Sequence, residues 1–174
     1  GIQGGYDWAV AQDIRLGLAV DGAYSGIGGS AGLPFGNAQM TSRMNWLLNL
    51  DARAAFLITP GAAVYVIGGL SAANIKHSIG GIGSPEWYVG PFYSPVGQQE
   101  SSTKWGWNAG LGFEAALDNK RTWSVFIDGR YFKFPDSKMN VAGFLYCDDN
   151  AALANVSTKN EYSVFRVGLN RHFN

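Results

Sequence analysis

Apolar and polar positions alternate with a period of two along most of the chain, the spacing of half-buried β-strands. In Asp13–Tyr24, "DIRLGLAVDGAY", one face carries Ile14, Leu16, Leu18, Val20 and Tyr24, and the other Arg15, Gly17, Ala19, Asp21 and Ala23. Met44–Phe56 sets Met44, Trp46, Leu48, Leu50, Ala52, Ala54 and Phe56 against Asn45, Asn49, Asp51 and Arg53, with Leu47 out of phase. Lys104–Leu117 sets Trp105, Trp107, Ala109, Leu111, Phe113, Ala115 and Leu117 against Lys104, Gly106, Asn108, Gly110, Gly112 and Glu114. Trp123–Tyr131 and Val164–Phe173 alternate in the same way, and Ile2, Tyr6 and Trp8 share a side at the start. Ala63–Ile75 is apolar on both faces, and pattern alone does not orient it.

These segments predict seven antiparallel strands whose connections alternate in length. Trp8 to Ile14, Thr59–Ala62 ("TPGA") and Asp118–Arg121 ("DNKR") are short. Gly26–Arg43, His77–Thr103 and Pro135–Thr158 read as long loops. The result is an all-β up-and-down meander with its tight turns at one end, in one domain over 1–174. No 3.6-residue period intervenes to suggest helices between strands.

Two arrangements fit such a meander. A soluble barrel or sandwich points its apolar face inward, whereas a transmembrane barrel points it at lipid and lines its interior with the polar face. Three features favour the second. Many polar-face positions are Gly or Ala, which suit a narrow interior better than a solvated surface. That face also carries Arg15, Asp21, Asp51, Arg53, Glu114, Asp128, Arg130 and Arg166, four acids and four bases able to pair in a lumen. Finally, the apolar-face aromatics gather toward strand ends: Trp8, Tyr24, Trp46, Phe56, Trp105, Trp107, Trp123, Tyr131 and Phe173, with Phe113 near them. Trp46 to Phe56 spans roughly 25 Å along a tilted strand, the height of the apolar band between two aromatic girdles.

Composition agrees. Only 15% of residues are charged while 14% are aromatic, against roughly 25% charged in soluble domains. The net charge of zero gives no footing for nucleic-acid binding. No run approaches the roughly 18 apolar residues of a spanning helix. No basic segment followed by an apolar run opens the chain, so a leader is expected to have been removed already. Cys147 is the only cysteine, which excludes an internal disulfide and a multi-cysteine metal site.

Candidate chemistry is sparse. Gly110-Leu-Gly112-Phe-Glu-Ala115 matches a dinucleotide fingerprint in letters only, because it lies within a strand rather than at a strand-to-helix turn. The glycines of Gly26–Gly32 lack the Gly-Lys-Ser/Thr of a phosphate loop. His77 adjoins Ser78, but neighbours on a strand point to opposite faces. His172 is expected at the lumen end or interface. No catalytic set, metal site or cofactor is predicted. Trp87, Tyr88, Phe92 and Tyr93, in "EWYVGPFYSPVG", form a candidate contact surface in a long loop; Gly143–Cys147 is similar.

The order of the phrases "GGYDWAVAQDIRLGLAVDGAYS", "MNWLLNLDARAAF", "VYVIGGLSAANIK", "KWGWNAGLGFEAALDNKRTWSVFIDGRYF" and "RVGLNRHF" resembles the small eight-stranded outer-membrane barrels of the opacity and OmpA-like type, porin-family surface proteins of Gram-negative bacteria. The resemblance implies a barrel in the bacterial outer membrane, eight-stranded when complete, with a first strand absent ahead of "GIQGGYDW". It also implies periplasmic tight turns and extracellular long loops. Phe173 followed by Asn174 departs from the usual terminal aromatic. The expected role is structural or surface interaction, with at most narrow passage of small solutes. Expected partners are membrane lipid and lipopolysaccharide, and an extracellular or envelope protein through the long loops. A conducting pore is one alternative. A soluble ligand-binding barrel, its cavity lined by Trp46, Leu48, Leu50 and Leu111, is another. Phe126, Phe132 and Leu47, pointing inward, favour a filled lumen.

Overall fold

The computed structural model describes residues 1–32, 39–80, 99–144 and 151–173. Among them there is no helix; the chain forms one antiparallel sheet. Its strands are β1 (Ile2–Ala9), β2 (Ile14–Tyr24), β3 (Gly28–Gly32), β4 (Gln39–Thr59), β5 (Ala62–Gly80), β6 (Gln99–Ala116), β7 (Trp123–Phe144) and β8 (Ala151–Arg171). The order across the sheet is β1-β2-β4-β5-β6-β7-β8, with β3 paired to β4 beyond the end of β2. Seven strand positions therefore match the seven segments of the alternating pattern, and β3 continues the row of β2. Strands alternate in direction, so β1 and β8 at the two edges run parallel to one another. No β1–β8 ladder is present among the described residues; the Gln3 amide donates to Asn170 across the gap at 2.6 Å. One strand antiparallel to both is what would close such a sheet without breaking its pattern.

The break between β2 and β3 faces a bulge on β4. Ser25 N donates to Asn45 O at 3.0 Å and Met44 N to Ile27 O at 2.8 Å, while the register of β4 on β5 jumps between Met44 and Trp46. One extra residue reverses which way all later side chains point. Met44, placed by the alternation with Trp46 on the apolar outer face, is therefore turned inward and fully buried. A second bulge lies between Phe134 and Ser137 of β7. Pro135 has no N–H for the ladder, and the bulge carbonyls find side-chain donors instead. The Lys104 ammonium donates to Pro135 O (3.1 Å) and Asp136 O (3.2 Å), and the Asn160 amide to Pro135 O (2.8 Å).

Within the loops expected over Gly26–Arg43, His77–Thr103 and Pro135–Thr158, residues 28–32, 39–43, 77–80, 99–103, 135–144 and 151–158 are strand, and 33–38, 81–98 and 145–150 lie outside the described residues. β4 has 21 residues, β7 22 and β8 21, where about 9–11 cross a bilayer. Once a hairpin leaves lipid its outer face need not be apolar, so the alternation fades while the backbone ladder continues. The short connections hold. Thr59 pairs with Ala62. In the other turn Asp118 O accepts Arg121 N (3.0 Å), and the Asp118 carboxylate accepts Trp123 N (2.9 Å). That backbone donation holds the Asp118 carboxyl below the usual range.

The fold is inside out relative to a soluble domain. The pairs Ile14↔Phe56, Phe56↔Val64, Val64↔Phe113, Phe113↔Ile127 and Ile127↔Val167 make one outward row of apolar side chains across six strands. Leu111 is 71% exposed, whereas Asn108 on the opposite face of the same strand is 3% exposed. Leu48 and Leu50 are exposed on the outer face as well. This overturns the soluble-barrel alternative, in which they would line a cavity: burial of that much apolar surface needs lipid, not water, outside.

Candidate functional site: the barrel interior

Five inward side chains from β2, β4, β7 and β8 build a charge layer at mid-barrel. Arg130 on β7 reaches Asp21 of β2 (3.0 Å), Asp51 of β4 (2.6 Å) and Asp128 of its own strand (3.5 Å). Arg166 on β8 grips Asp128 with Nε and Nη2 at 2.9 and 2.7 Å, a two-pronged pairing, and meets Asp21 at 3.2 Å. Two guanidinium groups thus hold three carboxylates, with Arg130 only 4% exposed. Charges out of water survive only with such partners.

Amides and hydroxyls take up the remaining acceptor capacity. The Asn49 amide donates to Asp21 and the Asn108 amide to Asp51, each at 2.7 Å. Ser71 donates to the Asn49 carbonyl oxygen at 2.7 Å and receives the Asn108 amide at 3.0 Å. Toward the tight turns, Arg53 pairs with Glu114 at 2.5 Å and lies 3.8 Å from Asp7. Its guanidinium stacks 4.1 Å over the Tyr65 ring, and the Tyr65 hydroxyl donates to Asp128 at 3.3 Å. Glu114 also accepts from Ser124, and from Asn170 at 3.0 Å, and lies 3.3 Å from His172. The lean positions opposite make room: a Cβ on Gly168 would stand 2.5 Å from the Phe126 ring, and one on Gly112 would collide with Tyr65.

On the other side of the charge layer the interior turns apolar. Met44, Ala73, Ile75, Phe132 and Phe134 form a fully enclosed cluster, with Leu47, Tyr162 and Val164 packed against it. Beyond it, in the hairpin extension above the aromatic ends of the strands, His77 Nε2 lies 2.8 Å from Ser137 Oγ, which also receives the Asn160 amide at 3.0 Å. His77 Nδ1 has no partner among the described residues, so no carboxylate orients the ring for base catalysis; the cluster acts as a polar lock. Burial first, then the nearby Lys104 charge, lower the His77 pKa, with Glu100 opposing. A histidine depressed in the folded state leaves the unfolded chain binding more protons. Its stabilising contribution is full above about pH 6.5 and is lost as pH falls through the folded value. Chemical unfolding at pH 5 and 7.5 should show the outer part of the barrel weakened at the lower pH, and the His77→Gln difference should be smaller.

The eight predicted lumen charges separate into groups. Asp21, Asp51, Asp128, Arg130 and Arg166 meet in the central layer, and Arg53 and Glu114 in the second. Arg15 lies apart at the tight-turn mouth, with no ion-pair partner among the described residues. Alternation put Asn49, Asn108, Phe132 and Leu47 on the inner face, but Met44 and Ile75 were hidden by the bulge and by the two-sided apolarity of β5. Of the aromatics, Tyr24 pairs with Trp46 across β2 and β4, and Trp107 lies 5.8 Å from Tyr131. Trp105 stands exposed on the same side. At the other end Trp8, Phe56, Trp123 and Phe173 are exposed, and Arg171 lies over the Trp123 and Phe173 rings. Trp87, Tyr88, Phe92, Tyr93 and Cys147 lie outside the described residues. Among the described residues no cluster of His, Cys, Asp and Glu has the makings of a metal site.

The family model for the outer membrane protein beta-barrel domain matches residues 1–173. Two similar curated proteins are the 31 kDa outer-membrane immunogenic proteins of Brucella melitensis biotype 1 and Brucella suis biovar 1. Each is 27% identical over 175 residues, an alignment covering 99% of this chain and 65% of the relative. The chain therefore spans just under two thirds of the length of these relatives.

Proposed function

The chain belongs to the outer membrane protein beta-barrel domain family, and from that premise we propose that it is a closed-lumen barrel whose role is structural and surface-presenting rather than conductive. Its seat is the bacterial outer membrane. The observation that carries the proposal is the side-chain filling of the interior: the Arg130 and Arg166 charge layer, the Asn49, Ser71 and Asn108 amides, and the buried Met44, Ile75, Phe132 and Phe134 cluster. A barrel of this strand number has an interior filled by side chains, and an apolar plug adds a barrier that ions cross at high cost.

Contact with the outside then falls to the outer face and the hairpins. The aromatic rows suit the lipid interfaces, and Lys133, exposed beside Glu161 at 3.4 Å, suits anionic headgroups such as those of lipopolysaccharide. The connections over residues 33–38, 81–98 and 145–150 are the proposed sites for an extracellular or envelope protein partner, with Trp87, Tyr88, Phe92 and Tyr93 as the candidate surface. The relatives' printed description as immunogenic supports display at the cell surface. Planar-bilayer recording of the full-length protein is expected to give no steady conductance. A stable open level that depends on ion identity would overturn this reading in favour of a pore.

A further inference from the structure

We propose that the tight-turn mouth of the barrel is a binding site for a compact polyanion carrying two or more carboxylate or phosphate groups. A cavity of about 450 Å³ opens there, with room for roughly fifteen water-sized groups. Its cations are Arg15, Arg53, Lys120 and Arg121, against two carboxylates, Asp7 and Glu114. Glu114 is already held by Arg53, Ser124 and Asn170. Arg15, Lys120 and Arg121 have no ion-pair partner among the described residues, and the buried Arg53 Nε has no hydrogen-bond acceptor among them. The lining side chains thus carry an excess of two positive charges, and the Asp118 carboxylate of the same turn is engaged by Trp123 N.

The turn chemistry points the same way. Arg121 is the only described non-glycine residue with positive φ, at 55°, a conformation that glycine or asparagine adopts more readily. Asp118 fixes it there through the carbonyl that accepts Arg121 N and the carboxylate that accepts Trp123 N. The turn thus sets the Arg121 cation at the rim of the cavity. Small residues at Ala55, Gly61, Ala63 and Ala116 leave the space in front of it open. Guanidinium forks match the paired oxygens of carboxylates and phosphates, and the charge excess calls for a ligand of charge two or more. Short turns of outer-membrane barrels face the periplasm, so the ligand is a periplasmic polyanion.

Calorimetric titration of the full-length protein in zwitterionic micelles tests this with two probes, sodium pyrophosphate and citrate. Saturable binding tighter than about 1 mM is expected from at least one probe, weakening as sodium chloride is added. The responding probe distinguishes a phosphate from a carboxylate ligand. Arg15→Gln and Arg121→Gln should each weaken binding about tenfold or more, the loss of one charged hydrogen bond. Lys159→Gln, an exposed cation of β8 at the other end, should leave it unchanged. The retained electrophoretic shift of unheated samples shows that each variant is folded. No saturable heat from either probe, or equal binding by a folded Arg15→Gln/Arg121→Gln double variant, overturns the proposal.

Discussion

Arg130→Ala is expected to destabilise the folded barrel by about 3–5 kcal/mol, the cost of stripping a buried charge network of its counter-ion. Among the described residues Arg130 is the only group that touches Asp21, Asp51 and Asp128 together. Arg166 can still hold Asp128 and Asp21, but Asp51 would keep only the Asn108 amide. The carboxylate, 1% exposed, would then be left without its counter-ion in a site that shields it from bulk water. Urea unfolding of protein refolded into vesicles, followed by tryptophan fluorescence, reads the loss. Adding Asp51→Asn should recover part of it, because the orphaned charge goes, and the two substitutions should be non-additive. A loss below about 1 kcal/mol would mean that water reaches the network, and would favour a conducting lumen.

The second large effect is expected on the outer face. Val66 and Leu111 are register partners on β5 and β6, both strongly exposed and both below the Trp105 and Trp107 ring row. Arginine at either position should cost about 2–4 kcal/mol, the penalty for a cation near the bilayer midplane of a barrel. Thr103→Arg, on the same face of β6 but beyond the tryptophans, should cost about 0–1 kcal/mol. The gradient along one strand face is the informative quantity, because a barrel standing in water would tolerate arginine equally at all three positions.

Much of the fold was legible because lipid imposes its own period. Wherever a strand crosses the bilayer, every second residue must be apolar, and β2, β6, β7 and β8 show it without exception at Leu16 to Val20, Trp105 to Phe113, Trp123 to Ile127 and Phe165 to Leu169. The same logic failed where its premise failed. Above the bilayer the outer face of a hairpin need not be apolar, so β3, the outer ends of β4, β5 and β6, and the outer parts of β7 and β8 were read as loop. At Asn45 a single inserted residue moved Met44 from lipid to lumen, and a bulge leaves no mark in composition. β5 was unreadable because its inward side is apolar too: Tyr65, Ile67, Ala73 and Ile75 are buried in the lumen while Val64, Val66 and Leu70 face out.

The interior was legible as an inventory but not as a network. Alternation places Asp51, Asp128, Arg130 and Arg166 on the inner face. Which acid meets which base depends on how strands distant in sequence come to face one another across the lumen, and a single strand's pattern does not carry that information. Arg130 and Asp21 are 109 positions apart yet 3.0 Å in space. Arg15 shows the converse: it alternates correctly but sits so close to the turn that it joins the mouth instead of the layer.

The central claim is that the apolar face is the outer face, and nitroxide scanning of Lys104–Leu117 in vesicles tests it most directly. With Cys147 replaced by serine and a spin label placed at each position in turn, the account predicts a period-two signal. Labels at Trp107, Ala109, Leu111 and Phe113 should collide with lipid-dissolved oxygen and not with a polar nickel chelate, while labels at Asn108, Gly110 and Glu114 should be shielded from oxygen. Oxygen contact at Asn108 and Glu114 with Leu111 and Phe113 shielded, or chelate contact at Leu111 and Phe113, would contradict it.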